Sequence, residues 1–244
     1  MKLYGGIDLH SNNSVIALSD DEDKVVYRRR LANDLQIVLP ELAPYADAIE
    51  GLVVESTYNW YWLVDGLMEA GYRVHLANTA AIVQYAGLKY ADDDSDACWL
   101  AKLLRLGLLP EGYIYPKEER PVRDLFRKRS QLVHQRTSNL QSIQNLMARN
   151  RGHSLSANQI KRLSYEDVYR LLPDIDLALA LKSTLAVMRT LDGAIALLEK
   201  RVKARIGLRP AFKPLLTVSG IGQILGLTIM LETGEIGRFP KVGN

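Results

Sequence analysis

Residues 1 to 80 alternate short apolar runs with polar stretches that favour turns. Apolar runs bounded by turn residues predict β-strands, whereas apolar positions that repeat every three or four residues predict helices. Strands are predicted at Leu3 to Asp8, Val15 to Leu18, Lys24 to Leu31, Gly51 to Glu55 and Tyr72 to Ala77. Helices are predicted at Asn33, as the cap, to about Ala48, and at Tyr58 to Ala70. This order predicts an α/β layer with a mixed sheet.

Beyond this region the apolar pattern becomes helical. Helices are predicted at Asp96 to Gly107, Pro121 to about Asn150, Asp174 to Ile206, and a shorter segment that ends near Thr233. The second long helix carries an apolar seam made of Leu181, Leu185, Met188, Leu191, Ile195, Leu198, Val202 and Ile206. Steps of three and four residues are typical of a helix that packs on another helix. The seam predicts an antiparallel arm or a dimerising coiled coil, with a plain helical bundle as the alternative.

Charge is divided unevenly along the 244 residues. Residues 1–100 carry 7 Lys or Arg against 16 Asp or Glu, whereas the other 144 residues carry 24 against 12. Basic surface supplies contacts to nucleic-acid phosphates, while concentrated carboxylates repel phosphates unless metal ions neutralise them. The pattern predicts three parts: an acidic domain at 1–112, a basic helical arm at 113–207, and a third segment at 208–244.

The sequence has one cysteine, Cys98, so it forms no internal disulfide. We interpret Cys98 as a helix packing residue rather than a nucleophile. Neither a charged-then-apolar leader nor an apolar stretch of about 18 residues or more occurs. These features predict a cytoplasmic protein that does not contact a membrane.

Carboxylates occur at two predicted strand ends and at the start of a predicted helix. They are Asp8, Glu55, Asp92, Asp93, Asp94 and Asp96. Hard oxygen ligands gathered from distant parts of a chain are what Mg²⁺-dependent phosphodiester chemistry requires. A strand-end aspartate that only makes a turn is the simpler reading of Asp8, and acids at a helix start are favoured by the helix dipole. That second effect explains one or two of the four helix-start aspartates, not all of them.

Helical geometry does not select the ligands within this run. Asp93 lies about 60° from Asp96 around a helix axis, and Asp92 lies about 40° from it. The order of elements fits the ribonuclease-H-like fold, in which the first and fourth strands end beside each other and each can carry a carboxylate. An ATPase of the actin and sugar-kinase type also has a glycine-then-aspartate first strand, but residues 10–13, His-Ser-Asn-Asn, lack the glycines that wrap phosphates.

Residues 117–151 carry nine Lys or Arg against three acidic residues, with Gln, Asn and Ser between them. Such a helix is suited to contacts with the backbone of a duplex or a folded RNA, and a solvated charged face is the alternative. The predicted nucleic-acid contacts are Arg123, Arg127, Lys128, Arg129, Arg136, Arg149 and Arg151. A later Gly220-Ile221-Gly222 turn exposes backbone N–H groups to a phosphate, or else permits close helix packing.

Four segments now resemble a known family when they are read in order. They are GIDLHSNNSVIAL, VVESTYNWYWLVDGL, DDDSDACWLAKLL and LLTVSGIGQILGLTIMLETGEIGRF. Together with the long Arg and Gln helix, they resemble the DEDD transposases of the insertion-sequence 110 family. The most specific parts are the Asp-x-x-Asp-Ala element at 93–97 and the Gly-Ile-Gly segment followed by Arg238-Phe239.

The resemblance implies a RuvC-like, ribonuclease-H-type domain in which Asp8, Glu55, Asp93 and Asp96 bind Mg²⁺. It also implies a coiled-coil arm that forms a homodimer or higher oligomer, and a C-terminal transposase domain. Relatives act on donor and target DNA with a structured bridge RNA, so that base pairing carries most of the sequence choice. The sequence therefore predicts a transposase or recombinase.

Relatives continue after the Arg-Phe element into a segment with a serine nucleophile, which these 244 residues do not contain. Ser219 is not that serine, because it precedes Gly-Ile-Gly where relatives often have proline. The chain is thus expected to be C-terminally truncated and unable to complete recombination alone. Two further hypotheses follow: a non-catalytic RNA- or DNA-binding fragment, and a RuvC-like junction-resolving nuclease that needs no serine.

Overall fold

A computed structural model describes residues 1–82, 93–206, 210 and 212–239, and gives only the backbone for residues 93–95. The chain forms two compact units, Met1–Ile114 and Tyr115–Asn244. The predicted division into three parts at residues 112 and 207 stays a prediction.

The first unit is built on a five-stranded sheet with the strand order β3-β2-β1-β4-β5. Its strands are β1 (Leu3–Leu9), β2 (Asn13–Ser19), β3 (Val25–Ala32), β4 (Ile49–Glu55) and β5 (Val74–Ala77). The first three strands pair antiparallel, whereas β1 with β4 and β4 with β5 pair parallel. The predicted mixed sheet is confirmed, and its order is consistent with a ribonuclease-H-like α/β fold.

Both faces of β1 are buried, because helices cover the sheet on either side. Alternate side chains of a strand point to opposite faces. Ile7 and Leu9 pack in the larger core, together with residues of helix α1 (Leu35–Leu42) and helix α2 (Tyr61–Glu69). Gly6 and Asp8 therefore point to the other face, where helix α3 lies.

The helix after β3 begins one residue later than the sequence predicts. Asp34 is the N-cap, since its side chain accepts the backbone N–H of Gln36 at 2.8 Å. The assignment of Asn33 as the cap is wrong, because the Asn33 side chain is held elsewhere: it accepts a hydrogen bond from the Ser14 hydroxyl at 2.6 Å. The helix predicted to about Ala48 is interrupted, as α1 ends at Leu42 and a 3₁₀ turn follows at Ala43–Ala48.

Helix α3 (Asp93–Arg105) packs directly on the backbone of β1. A Cβ atom built on Gly6 would lie 1.9 Å from the carbonyl oxygen of Ala97, so only glycine fits under the helix. At its other end, Arg105 donates to both carboxylate oxygens of Asp23 in the β2–β3 turn, at 2.7 and 2.8 Å. The helix is thereby fixed on the sheet at both ends, with Asp96 in its first turns.

The second unit contains two helices of 32 residues each, α4 (Arg120–Arg151) and α7 (Ile175–Ile206). Each is about 48 Å long at 1.5 Å per residue. They run antiparallel, because Arg129 bonds to Glu199 while the later Arg136 bonds to the earlier Asp192. Of the predicted seam, the buried members are Leu181, Leu185, Met188, Ile195, Val202 and Ile206.

The seam of α7 thus packs against α4 of the same chain. At one end Leu181 and Leu185 share a core with Ile143 and Met147. At the other end Val202 shares a core with Phe126 and Val122. The antiparallel pairing of the two long helices fits both the predicted arm and the plain helical bundle, while dimerisation through the long helices stays a prediction.

Two short helices between α4 and α7 had no counterpart in the sequence prediction. They are α5 (Ala157–Arg162) and α6 (Tyr165–Leu171). Each begins with a capping box, in which the serine accepts the N–H three residues on and the third residue accepts the serine N–H. The signals were present in the sequence as Ser156 with Gln159 and Ser164 with Asp167.

After α7 the second unit contains α8 (Phe212–Leu215) and α9 (Gln223–Thr233), which are joined through the Gly-Ile-Gly turn, and a 3₁₀ turn at Ile236–Arg238. A Cβ atom on Gly220 or Gly222 would meet no atom of the described residues within 4 Å, so packing against these residues does not explain the two glycines. Gly220 has φ +86°, a left-handed conformation that glycine adopts without strain. Phosphate binding at this turn stays a prediction. No helix in the described part of the chain has the length and apolar character to cross a membrane.

Candidate active site

Two carboxyl groups meet where β1 and β4 end. The strands run parallel, with Ile7 opposite Val54. The residues that follow these two on their strands are Asp8 and Glu55, which are therefore neighbours. Asp8 is buried, with 4% of its surface exposed, and Glu55 is partly buried. The side chains hydrogen-bond to each other. The structure therefore brings together the two strand-end acids that the sequence predicts for one site.

This proximity changes the ionisation of Glu55. Burial raises the pKa of the Glu55 carboxyl to about 8, helped by its hydrogen bond to Asp8 and by the charges of Asp8 and Asp96. The backbone N–H of Leu9 donates to Glu55 and opposes that shift. Without a metal ion the pair is therefore expected to share one proton at neutral pH, because two close carboxylates repel each other.

The predicted aspartates of α3 are located only in part. Asp96 is half-buried and close enough for its charge to raise the pKa of Glu55. Asp93 begins α3, but its side chain and that of Asp94 lie outside the described residues, as does the whole of Asp92. Among the side chains that the structure does describe, no group of three or more His, Cys, Asp or Glu has metal-binding geometry. The choice of Asp93 over Asp92 stays a prediction.

The donor set nevertheless suits a hard divalent cation. Asp8 and Glu55 supply carboxylate oxygens at one point, and a third carboxylate acts on them from α3. Mg²⁺ binds through carboxylate oxygens and takes part of its coordination from water and substrate. A dication between these groups would replace the shared proton and remove the repulsion that the raised pKa of Glu55 reflects.

His10, in the polar loop after β1, also contacts the site, although no sequence pattern pointed to it. Its Nε2 atom lies 3.2 Å from Oδ2 of Asp8. Its carbonyl oxygen accepts hydrogen bonds from the side-chain amides of Asn33 and Asn59, both at 2.9 Å. Asn59 follows the β4 end that carries Glu55. Residues just beyond the ends of neighbouring strands lie close together. This rule predicts the pairing of the carboxylates, and it also predicts that Asn59 lies near the site.

The raised pKa of Glu55 predicts a pH-dependent stability in the absence of metal. The folded protein holds a proton up to about pH 8, whereas the unfolded carboxyl loses it near 4.5. Stability is therefore expected to fall as the pH rises through this window. For a half-buried carboxyl, solvent screening reduces the loss to on the order of 1 kcal/mol.

Thermal unfolding in EDTA at pH 5.5 and 8.5 measures this effect. Glu55→Gln removes the titrating group, so the variant should lose less stability than the wild type over the same interval. Added Mg²⁺ should restore wild-type stability at the higher pH. Equal pH profiles of wild type and variant would contradict the assignment.

The basic residues predicted on α4 fall into two groups. Arg123 and Arg127 both donate to the carboxylate of Glu232 in α9, with closest distances of 3.0 and 2.6 Å. The bonds from Arg127 and then Arg123 hold the pKa of Glu232 below its usual value. These arginines connect α4 to α9.

Two other arginines, Arg129 and Arg136, connect α4 to α7 through Glu199 and Asp192. The remaining predicted contacts, Lys128, Arg149 and Arg151, are exposed. Four of the seven predicted cations thus form ion pairs between helices of the second unit. Their ion-pair partners are 56 to 109 residues away, which no local pattern reveals.

Fold and site together describe an α/β protein with an acidic cluster at the carboxyl ends of its central parallel strands. A family model described as a transposase, that of the DEDD transposases of insertion sequence IS110, matches residues 5–150. This match covers more than half of the chain, including Asp8, Glu55, Asp93 and Asp96. The chain belongs to this transposase family, as its motifs suggest. No curated protein matches it. The family is one of enzymes that cut and recombine DNA, so DNA is the partner class that membership implies.

Proposed function

We propose that the chain carries the RuvC-like unit of an insertion-sequence transposase, and that this first unit takes part in DNA strand cleavage and transfer with Mg²⁺. The metal ligands are Asp8, Glu55, Asp93 and Asp96. The observation that carries this proposal is the hydrogen-bonded pair of Asp8 and Glu55, with Asp96 acting on it from α3. Two carboxyl groups held this close in a partly buried position cost free energy of folding. Such arrangements are concentrated at functional sites.

Mg²⁺ bound at these residues would neutralise a DNA phosphate and favour attack on it. The protein's own contribution is to hold the carboxyl oxygens in place. Adjacent backbone pairing fixes Asp8 and Glu55, and the contact of α3 on Gly6 fixes Asp96. His10 restrains Asp8 through its 3.2 Å contact, while two asparagines anchor its own carbonyl.

Nucleic acid would bind the second unit mainly through cations that form no ion pair between the described helices. Lys128, Arg149 and Arg151 are exposed on α4 and are the strongest of the seven proposed contacts. Family resemblance supports a structured guide RNA as a further partner. A homodimer is also part of the proposal, but its interface is expected away from the α7 seam, which α4 already covers.

Metal binding is the direct test on this chain. Titration calorimetry with Mg²⁺ should detect binding to the wild type, and Asp8→Asn should weaken it by about 10-fold or more. Asp47→Asn is the matched control, since Asp47 is an exposed acid of the same unit in the turn after α1, and it should leave affinity unchanged. Equal affinity of wild type and Asp8→Asn would overturn the metal assignment.

Nucleic-acid assays separate the related activities. Mg²⁺-dependent cutting of branched DNA by the chain alone would favour a junction-resolving nuclease. Binding of RNA or DNA with neither metal binding nor cleavage would favour a non-catalytic fragment.

A further inference from the structure

The outer strand β3 carries three consecutive arginines, and its two faces differ. Tyr27 donates to Glu41 of α1 at 2.8 Å, Arg29 pairs with the same carboxylate, and Leu31 is buried in the core beneath α1 and α2. These odd-numbered residues face α1. Because side chains alternate along a strand, Arg28 and Arg30 point to the opposite face of the sheet. Both are exposed.

That opposite face is the one that carries the acidic site. Gly6 lies under Ala97 of α3, and Asp8, two residues further along β1, shares its face. In the register of the sheet, Arg30 is opposite Val15, and Val15 is opposite Asp8. Arg30 therefore lies in the same row as the acidic pair.

Two strand spacings separate Arg30 from Asp8 in this row, a distance of about 10 Å between backbones. Arg28 lies two residues before Arg30 on the same face of β3, opposite Ala17. Val15 and Ala17, which lie between these arginines and the acids, are fully buried beneath Ala97 of α3, so the exposed arginines flank the part of this face that α3 covers. The guanidinium of Arg30 is also oriented, since it donates to Oδ1 of Asn13 at 2.8 Å.

A strand of nucleic acid that reaches the acidic site needs positive charge nearby, because carboxylates repel its phosphates. Arginine is suited to this role, since its planar guanidinium binds phosphate oxygens in pairs. A separation of about 10 Å corresponds to roughly three nucleotides at a rise of 3.4 Å per strand.

We propose that Arg28 and Arg30 form a DNA-backbone contact surface that binds the substrate strand beside the acidic site, on the side of the first unit where β3 lies. This inference rests on the proposed function for the identity of the site. The proposed nucleic-acid contacts then include this surface of the acidic first unit as well as the basic helix of the second unit. The contact is made to phosphates and so is independent of base sequence.

The test compares the double variant Arg28→Gln and Arg30→Gln with Arg29→Gln, in the whole chain. Arg29 supplies the control, because Arg29→Gln removes one positive charge from the same strand on the opposite face. Affinity for a fluorescent DNA duplex is measured by anisotropy at several salt concentrations in EDTA. Each lost phosphate contact should reduce the slope of log K against log salt by about 0.9.

The double variant is expected to bind DNA about 10-fold more weakly at moderate salt, with a slope shallower by one to two. Arg29→Gln should keep the wild-type slope, and the double lysine variant should recover most of it. An unchanged slope in the double variant would overturn the proposal. So would an equal effect of Arg29→Gln, or a loss of affinity for RNA alone.

This experiment fails separately from the proposed function. The slope is measured without metal and needs no cleavage. A wild type that binds no Mg²⁺ would refute the metal assignment and leave the arginine result intact. Normal Mg²⁺ binding with an unchanged slope would refute only the arginine surface.

Discussion

Asp8→Asn and Glu55→Gln are each expected to reduce the mobility of the insertion sequence by roughly 100-fold or more. Asp8 is the most enclosed of the site acids whose side chains the structure describes, and Glu55 is its direct partner. Either amide keeps the size and hydrogen-bonding capacity of the side chain but removes the negative charge that a metal ion requires. The loss should therefore appear in activity rather than in folding.

Excision and insertion of the complete element, scored in cells by junction-specific amplification, provide the measurement. Asp47→Asn, on an exposed turn, is the control and should leave mobility unchanged. Circular dichroism of each variant checks that it folds. Full mobility of both site variants would show that the acidic pair is structural.

Gly6→Ala is expected to destabilise the first unit by at least about 3 kcal/mol. The added Cβ would lie 1.9 Å from the carbonyl oxygen of Ala97 and 2.8 Å from the backbone nitrogen of Ala101. Both atoms belong to the backbone of α3, so no side chain can rotate away. The helix has to move off the sheet and take Asp96 with it.

Denaturation in urea measures this effect, and Gly112→Ala is the control. A Cβ on Gly112 would make only ordinary contacts, the nearest at 3.4 Å from the carbonyl oxygen of Leu76. That variant should stay within about 0.5 kcal/mol of the wild type. Wild-type stability of Gly6→Ala would mean that α3 does not lie on β1 at this position.

The sequence was sufficient to predict the features that depend on local periodicity. The five strands, the long helices and the seam of α7 follow from apolar spacing, because burial on one face imposes a repeat of two or of three to four residues. The meeting of Asp8 and Glu55 was also predictable. It needed only a fold in which the first and fourth strands are neighbours.

Features that depend on tertiary partners were not predictable. Asn33 and Asp34 are both good caps, and the chain selects Asp34 because Asn33 is held by Ser14 and His10. Arg123 and Arg127 looked like free cations, although Glu232, more than 100 residues away, binds both. A sequence shows which residues carry charge, but the fold determines which of those charges are neutralised.

The position of the three arginines on β3 also bears on solubility. Val25 and Val26 are exposed at 41% and 36% at the start of this strand, which lies at the edge of the sheet. An edge strand that begins with exposed β-branched residues is a template for pairing with a second sheet, and charged residues that follow such a segment oppose aggregation. We expect the arginines to oppose such pairing, so glutamine, and not a hydrophobic residue, is the appropriate replacement at Arg28 and Arg30.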